Sequence, residues 1–193
     1  MNLNNYIEFM NYFLISVLSG CDLRLPYYTD MLKLMRSEVL LMFDNLRNNH
    51  YIDLLRSLKV VIEASIQLFY YFSKYGINEE GILREVKRRE RSATTFNIKM
   101  VSKIRDLHLN IRKEIIKTYL AICEFTHPTR NLLLIHKRKS KKILHDFLRR
   151  SADIMTYCLL RVCGANLVND DLLRMINRLG LERSMRYIGK SKR

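Results

Sequence analysis

The sequence has no tryptophan, and only two prolines and six glycines punctuate its 193 residues. So few breakers and turn formers argue for long uninterrupted helices and few tight turns. No alternating apolar–polar stretch is long enough to read as a half-buried strand. There is no internal repeat and no heptad run of coiled-coil length. The four cysteines, Cys21, Cys123, Cys158 and Cys163, form no CxxC pair. That excludes the usual zinc spacings, and with Cys123 and Cys158 in apolar helical patterns it leads to an expectation of reduced thiols in a reducing compartment. The apolar run "YFLISVLSG" is too short to span a bilayer and follows "NLNNYIEFMN" instead of a basic segment, so no secretory signal and a cytoplasmic location are expected, without a membrane partner. P-loop, Gly-rich dinucleotide, HExxH and GxSxG motifs are all missing, as are an RRM aromatic motif, a GXXG loop and a zinc finger. No cofactor and no metal site is expected.

What is present is positive charge. Thirty-four Lys and Arg oppose 19 Asp and Glu, a net charge of +15. A surplus of this size points to a polyanionic partner, nucleic acid first, with an anionic membrane surface or plain solubility as the other readings.

The apolar residues recur with helical period almost throughout. Leu3, Ile7, Met10, Leu14 and Val17 mark a first helix, stopped at Ser19-Gly20. A second is expected from Thr29 or Asp30 to "RNNH". The third, about 51–75, carries Leu55, Leu58, Ile62, Ile66, Phe69 and Phe72, with Gly76 beyond its end. Asn78 is placed to cap a polar fourth helix with an acidic first turn and a basic last turn. Asn97, Asn110 and Asn169 are placed as further caps, and a long helix is expected from Ser140 to Val162. The tail "GKSKR" is expected to be mobile. The fold class is all-α: an up-and-down bundle over 49–163, an N-terminal helical pair over 1–48 packing on it, and short C-terminal helices with a basic tail over 164–193.

The stretch "YLAICEFTHPTRNLLLIHKRKSKK" concentrates the chemistry. Tyr119-x-x-Ile122-Cys123-x-x-x-His127-Pro128-Thr129 resembles the Y-x-x-L-S-x-x-x-H-P-S signature of a family of helical proteins in the wider HEPN superfamily, with Cys123 standing where the family has serine. In that family an upstream helix carries an arginine and then a glutamate, and Arg56 and Glu63 occupy those places here. Arg130-Asn131-x-x-x-x-His136 is similar to the R-x4-6-H motif of HEPN ribonucleases. The resemblance covers about residues 50–160. It implies a HEPN-like fold and metal-independent cleavage of RNA at a site formed where two protomers of a homodimer meet, as in toxin or defence proteins.

The residue chemistry fits such a reaction. Histidine titrates near neutrality and serves as acid or base, so His127 and His136 are candidates; Arg130 is a candidate clamp for the phosphorane oxygens, with Asn131 in support. On one regular helix Arg130 and His136 lie about 120° apart, a constraint that a two-fold dimer relaxes. Equally, His127 serves as a helix-start anchor and His136 as a boundary residue. Arg56 and Glu63 are either a network anchoring the third helix or, for Glu63, an acid that orients His127.

Three basic tracts are candidate phosphate sites. "REVKRRER" at 84–91 has five basic and two acidic residues and is partly self-compensated. "HKRKSKK" contributes Lys137, Arg138, Lys139, Lys141 and Lys142, and the C-terminal segment contributes Arg186, Lys190, Lys192 and Arg193, so these two rank higher. The expected partner is RNA before DNA. The sequence leaves three functions open: an RNA-directed HEPN-type ribonuclease, a non-catalytic nucleic-acid-binding or ribonucleoprotein-associated protein, and a helical protein-interaction scaffold.

Overall fold

The computed structural model of the protein describes residues 2–21, 25–92, 96–105, 107–126 and 140–191. The described residues form nine α-helices and no strand. In chain order these are α1 (Asn4–Gly20), α2 (Pro26–Arg47), α3 (Tyr51–Tyr75), α4 (Glu79–Arg91), α5 (Lys99–Lys103), α6 (Leu109–Thr126), α7 (Ser140–Cys163), α8 (Asp170–Leu179) and α9 (Glu182–Ser191), with a 3-10 turn at Ala165–Leu167 before α8. The all-α bundle expected from the periodicity is the observed fold.

The apolar pattern of α3 explains its central place. Buried residues occur on most of its circumference, from Leu54 and Leu55 through Leu58, Val61 and Ile62 to Tyr70 and Tyr71. A helix apolar nearly all round must be covered on several sides, and α3 lies against α2, α7 and α6. A second interior helix is α7, buried without interruption from Ser151 to Leu160. The N-terminal helices belong to the same core: α1 rests on α2 and α7 through Ile7, Met10, Phe13, Leu14 and Val17. One hydrophobic cluster takes side chains from all of the described helices.

Local signals set most helix ends. Asn78 accepts from Gly81 N at 3.0 Å and Asn169 from Leu172 N at 2.8 Å, as N-caps do. Gly76 closes α3 at φ 57°, a conformation that favours glycine, and its carbonyl accepts from Tyr28 OH at 2.8 Å. Gly20 has a packing reason: a Cβ there would sit 2.8 Å from Leu167 Cδ2, so its absence lets α1 reach the 3-10 turn.

Several sequence expectations are corrected. Helix α2 starts at Pro26, not at Thr29, because proline at N1 is preset for the helix and Leu25 before it is extended. At the start of α6 the cap is His108, not Asn110: Arg112 N donates to His108 O at 3.0 Å and Asn110 N to His108 Nδ1 at 3.4 Å. Of the tail "GKSKR", Gly189–Ser191 belong to the last turn of α9, and Lys192 and Arg193 lie outside the described residues. Nor are all the thiols reduced. Cys21, just past α1, and Cys163, at the end of α7, form a disulfide with Cα atoms 5.3 Å apart. Cys123 and Cys158 are unpaired, and burial pushes the Cys158 thiol up to about 12. No helix among the described residues is long and apolar enough to cross a membrane.

Candidate functional site

Two places join residues that the sequence singled out. The first lies between α3 and α6. Tyr119 OH donates to Glu63 Oε1 at 2.6 Å, across 56 residues of chain. Lys59 Nζ stands 3.9 Å from the same oxygen and 6.0 Å from the centroid of the Tyr119 ring, and Phe96 packs on that ring. Burial raises the pKa of the Tyr119 phenol, and the bonds to Glu63 and to the Cys123 thiol raise it further. The phenol is therefore a fixed neutral donor, held to the carboxylate. Glu63, Tyr119 and Cys123, drawn from two separate motifs, converge on one spot.

Arg56 does not join them. It is exposed and donates to Asp53 Oδ1 at 2.8 Å. Seven residues of helix separate Arg56 from Glu63 by about 10.5 Å along the axis, too far for direct contact even on a shared face. The network expected of the two together is thus two separate pairs. His127, Arg130, Asn131 and His136 lie outside the described residues, as do Lys137, Arg138, Lys139, Lys192 and Arg193.

The second place is α4. Arg84, Lys87, Arg88 and Arg91 recur at three- and four-residue spacing and so share one face. With Ser92 they line a shallow hollow of about 360 Å³ that has no acidic lining residue. Arg84 is partnered by Glu80 at 3.1 Å, one turn back. Lys87 and Arg91 have no ion-pair partner among the described residues.

Glu85 anchors this helix to α3. It is buried, accepts from Arg88 at 2.8 and 3.2 Å and from Arg89 Nε at 3.0 Å, and has Lys74 Nζ at 3.6 Å. Tyr75 OH donates to it at 3.4 Å. The Arg88 hydrogen bonds hold its carboxyl down at about 2 against the opposing effect of burial, helped by the charges of Lys74, Arg88 and Arg89. Three cations thus share one carboxylate, and the corner keeps a net positive charge.

Sequence reasoning ranked 84–91 below the other tracts because two glutamates dilute it. Helical spacing resolves the dilution. Glu85 is buried and bonded to Arg88 and Arg89, and Glu90 lines a different cavity, so neither lines the hollow of Arg84, Lys87, Arg88 and Arg91.

The other predicted phosphate contacts are scattered by comparison. Lys141 and Lys142 are exposed in the first turn of α7, which itself contains no acidic residue. Arg186 is exposed and faces Glu182 at 3.7 Å, and Lys190 is exposed in the last turn of α9. Arg183 is structural: its guanidinium bonds Asp153 Oδ2 at 2.8 Å and Glu114 Oε2 at 2.6 Å. Among the described residues no group of three or more His, Cys, Asp and Glu is placed to hold a metal ion. Comparisons with protein-family models, with curated proteins and with solved structures return no match for this chain, so the site is read from its own residues.

Proposed function

We propose that the chain is a basic, helical nucleic-acid-binding protein, directed to RNA before DNA, that holds the phosphate backbone on the exposed face of α4. The single observation behind this is the row Arg84, Lys87, Arg88 and Arg91 on a hollow with no acidic lining, in a molecule of net charge +15. Neutralising phosphates releases condensed counterions, so affinity falls steeply with salt. The test is fluorescence anisotropy of a labelled single-stranded RNA across a KCl series. The double variant Lys87→Ala/Arg91→Ala removes two cations that hold no ion pair among the described residues, so the fold stays intact. It is expected to weaken binding and to flatten the slope of log K against log[salt] by about 1.4. An unchanged slope takes the α4 face out of the interface.

The second reading is a HEPN-type, metal-independent endoribonuclease acting as a homodimer. What favours it is the bond between Glu63 and Tyr119 with Cys123 alongside, which brings together three positions the resemblance marks. Under this reading Arg130 and His136 act on the transition state while lysines hold the backbone, so Arg130→Ala and His136→Ala abolish cleavage with binding largely kept, and EDTA leaves the rate unchanged. Intact RNA after incubation with a protein that binds it tightly refutes the enzyme and leaves the binding protein standing.

A further inference from the structure

Helices α2, α3 and α4 enclose a cavity of about 290 Å³ that the phosphate-binding face does not use. Its apolar wall includes Tyr27, Tyr71 and Val86, and its polar groups are Glu63, Gln67, Arg89 and Glu90. Tyr27 and Tyr71 meet edge to face, with ring centroids 5.4 Å apart and planes at 90°. Tyr71 is fully buried, and Tyr27 is half-buried and so reachable by a ligand. A mostly apolar concavity with a few polar groups is the usual form of a small-ligand site.

Each polar residue has hydrogen-bonding capacity left over. Gln67 accepts from Tyr27 OH at 3.4 Å through Oε1, which leaves its two amide N–H donors uncommitted. Arg89 donates from Nε to Glu85 at 3.0 Å and from Nη2 to Tyr70 OH at 3.4 Å, with Nη1 bonded to no described residue. The Glu90 carboxylate, also on the rim, has no hydrogen bond or ion pair among the described residues. An aromatic wall is thus combined with two sets of donors and two carboxylates, Glu63, already bonded to Tyr119, and the uncommitted Glu90.

We propose that this cavity takes the base of an unpaired guanine nucleotide. The proposal rests on the nucleic-acid reading above and adds which part of the polymer enters the protein. Guanine presents N1–H and N2–H side by side, matching the two oxygens of the Glu90 carboxylate, and presents O6 and N7 side by side, matching donors from Arg89 and Gln67. Adenine offers an N1 acceptor toward the carboxylate and is rejected. A phosphate is rejected too, because Glu90 repels it, whereas the planar base stacks on tyrosine. The backbone has a path to the cavity: Lys87, on the cationic face, precedes Glu90 by one helical turn.

The test uses the full chain and three labelled RNA heptamers, a single guanine within uridines, a single adenine within uridines, and uridine alone, at low salt by anisotropy. The guanine heptamer is expected to bind roughly tenfold tighter than either of the others, the yield of about one bidentate base contact. Glu90→Gln, an exposed position whose change leaves the circular dichroism spectrum intact, is expected to bring that ratio to about one. Equal affinity for the three heptamers overturns the guanine pocket and leaves the cationic face in place. A preference that survives Glu90→Gln also overturns it. Failure to bind any heptamer overturns the nucleic-acid reading and the pocket with it.

Discussion

Three cations on one carboxylate make Glu85 the side chain whose ionisation matters most to the basic corner. Its pKa falls from an ordinary 4.5 to about 2 because Arg88 hydrogen-bonds the charged form, with Lys74, Arg88 and Arg89 adding their fields. A depressed carboxyl pKa stabilises the folded state above the unfolded value, and that contribution is lost as pH falls from about 4.5 toward 2. Protonation strands Arg89, whose side chain is only 10% exposed, without its anion. Wild-type protein is therefore expected to lose thermal stability across that window, and Glu85→Gln is expected to start lower, by about 1–2 kcal/mol, and to show a flatter acid limb. Identical melting curves for the two proteins between pH 5 and pH 2.5, on the order of this window, refute the account. The same residue shows what the sequence hid. Counting Glu85 against all its basic neighbours treats it as a surface neutraliser, whereas it is buried against Arg88 and Arg89 and leaves Lys87 and Arg91 without an ion pair among the described residues.

At the scale of helices, what is encoded nearby was legible and what is encoded far away was not. The bounds of α3, the caps Asn78 and Asn169 and the stop at Gly76 are local, so periodicity and capping rules recover them. Helix α9 is different. It runs from Glu182 to Ser191, and its first turn is held by a residue 30 positions earlier. Asp153, buried in α7, accepts from Arg183 N at 3.1 Å, from Ser184 N at 3.0 Å and from Ser184 Oγ at 2.8 Å, and pairs with the Arg183 guanidinium. It is the N-terminal cap of α9 supplied by another helix. The Glu63–Tyr119 bond at the candidate site was unreadable for the same reason, since its partners sit on different helices. Asp153→Ala removes an anion from beneath Arg183, whose side chain is 14% exposed, and is expected to destabilise the fold by about 3–5 kcal/mol. Hydrogen exchange should quicken first at the Arg183 and Ser184 amides, with Asp153→Asn intermediate because its oxygen still accepts. Unchanged exchange at those amides in the alanine variant removes Asp153 as the anchor of α9.

Over the whole molecule the covalent tie is the disulfide, which spans 142 residues and joins the end of α1 to the end of α7. Sequence spacing of the four cysteines gives no hint of it, because the two partners meet only after α1 has packed along α7. Both ends sit beside the place where Gly20 lets α1 approach Leu167, so the bond closes a contact the core already makes. Its main effect is then on the unfolded chain. A loop of this length removes unfolded-state entropy equivalent to about 5 kcal/mol in the chain-entropy treatment, with about 2–4 kcal/mol the usual yield. Purified under non-reducing conditions and denatured, the protein should titrate two thiols, those of Cys123 and Cys158, and four after reduction. Cys21→Ser/Cys163→Ser should lower the urea midpoint without changing the helical circular dichroism signal, because the interior faces of α3 and α7 remain to hold the bundle. RNA binding by that variant, measured well below its midpoint, should match wild type, since neither cysteine lies near α4. Four reactive thiols before any reductant, or loss of RNA binding together with the bond, would show that the ends of α1 and α7 are organised differently from this account.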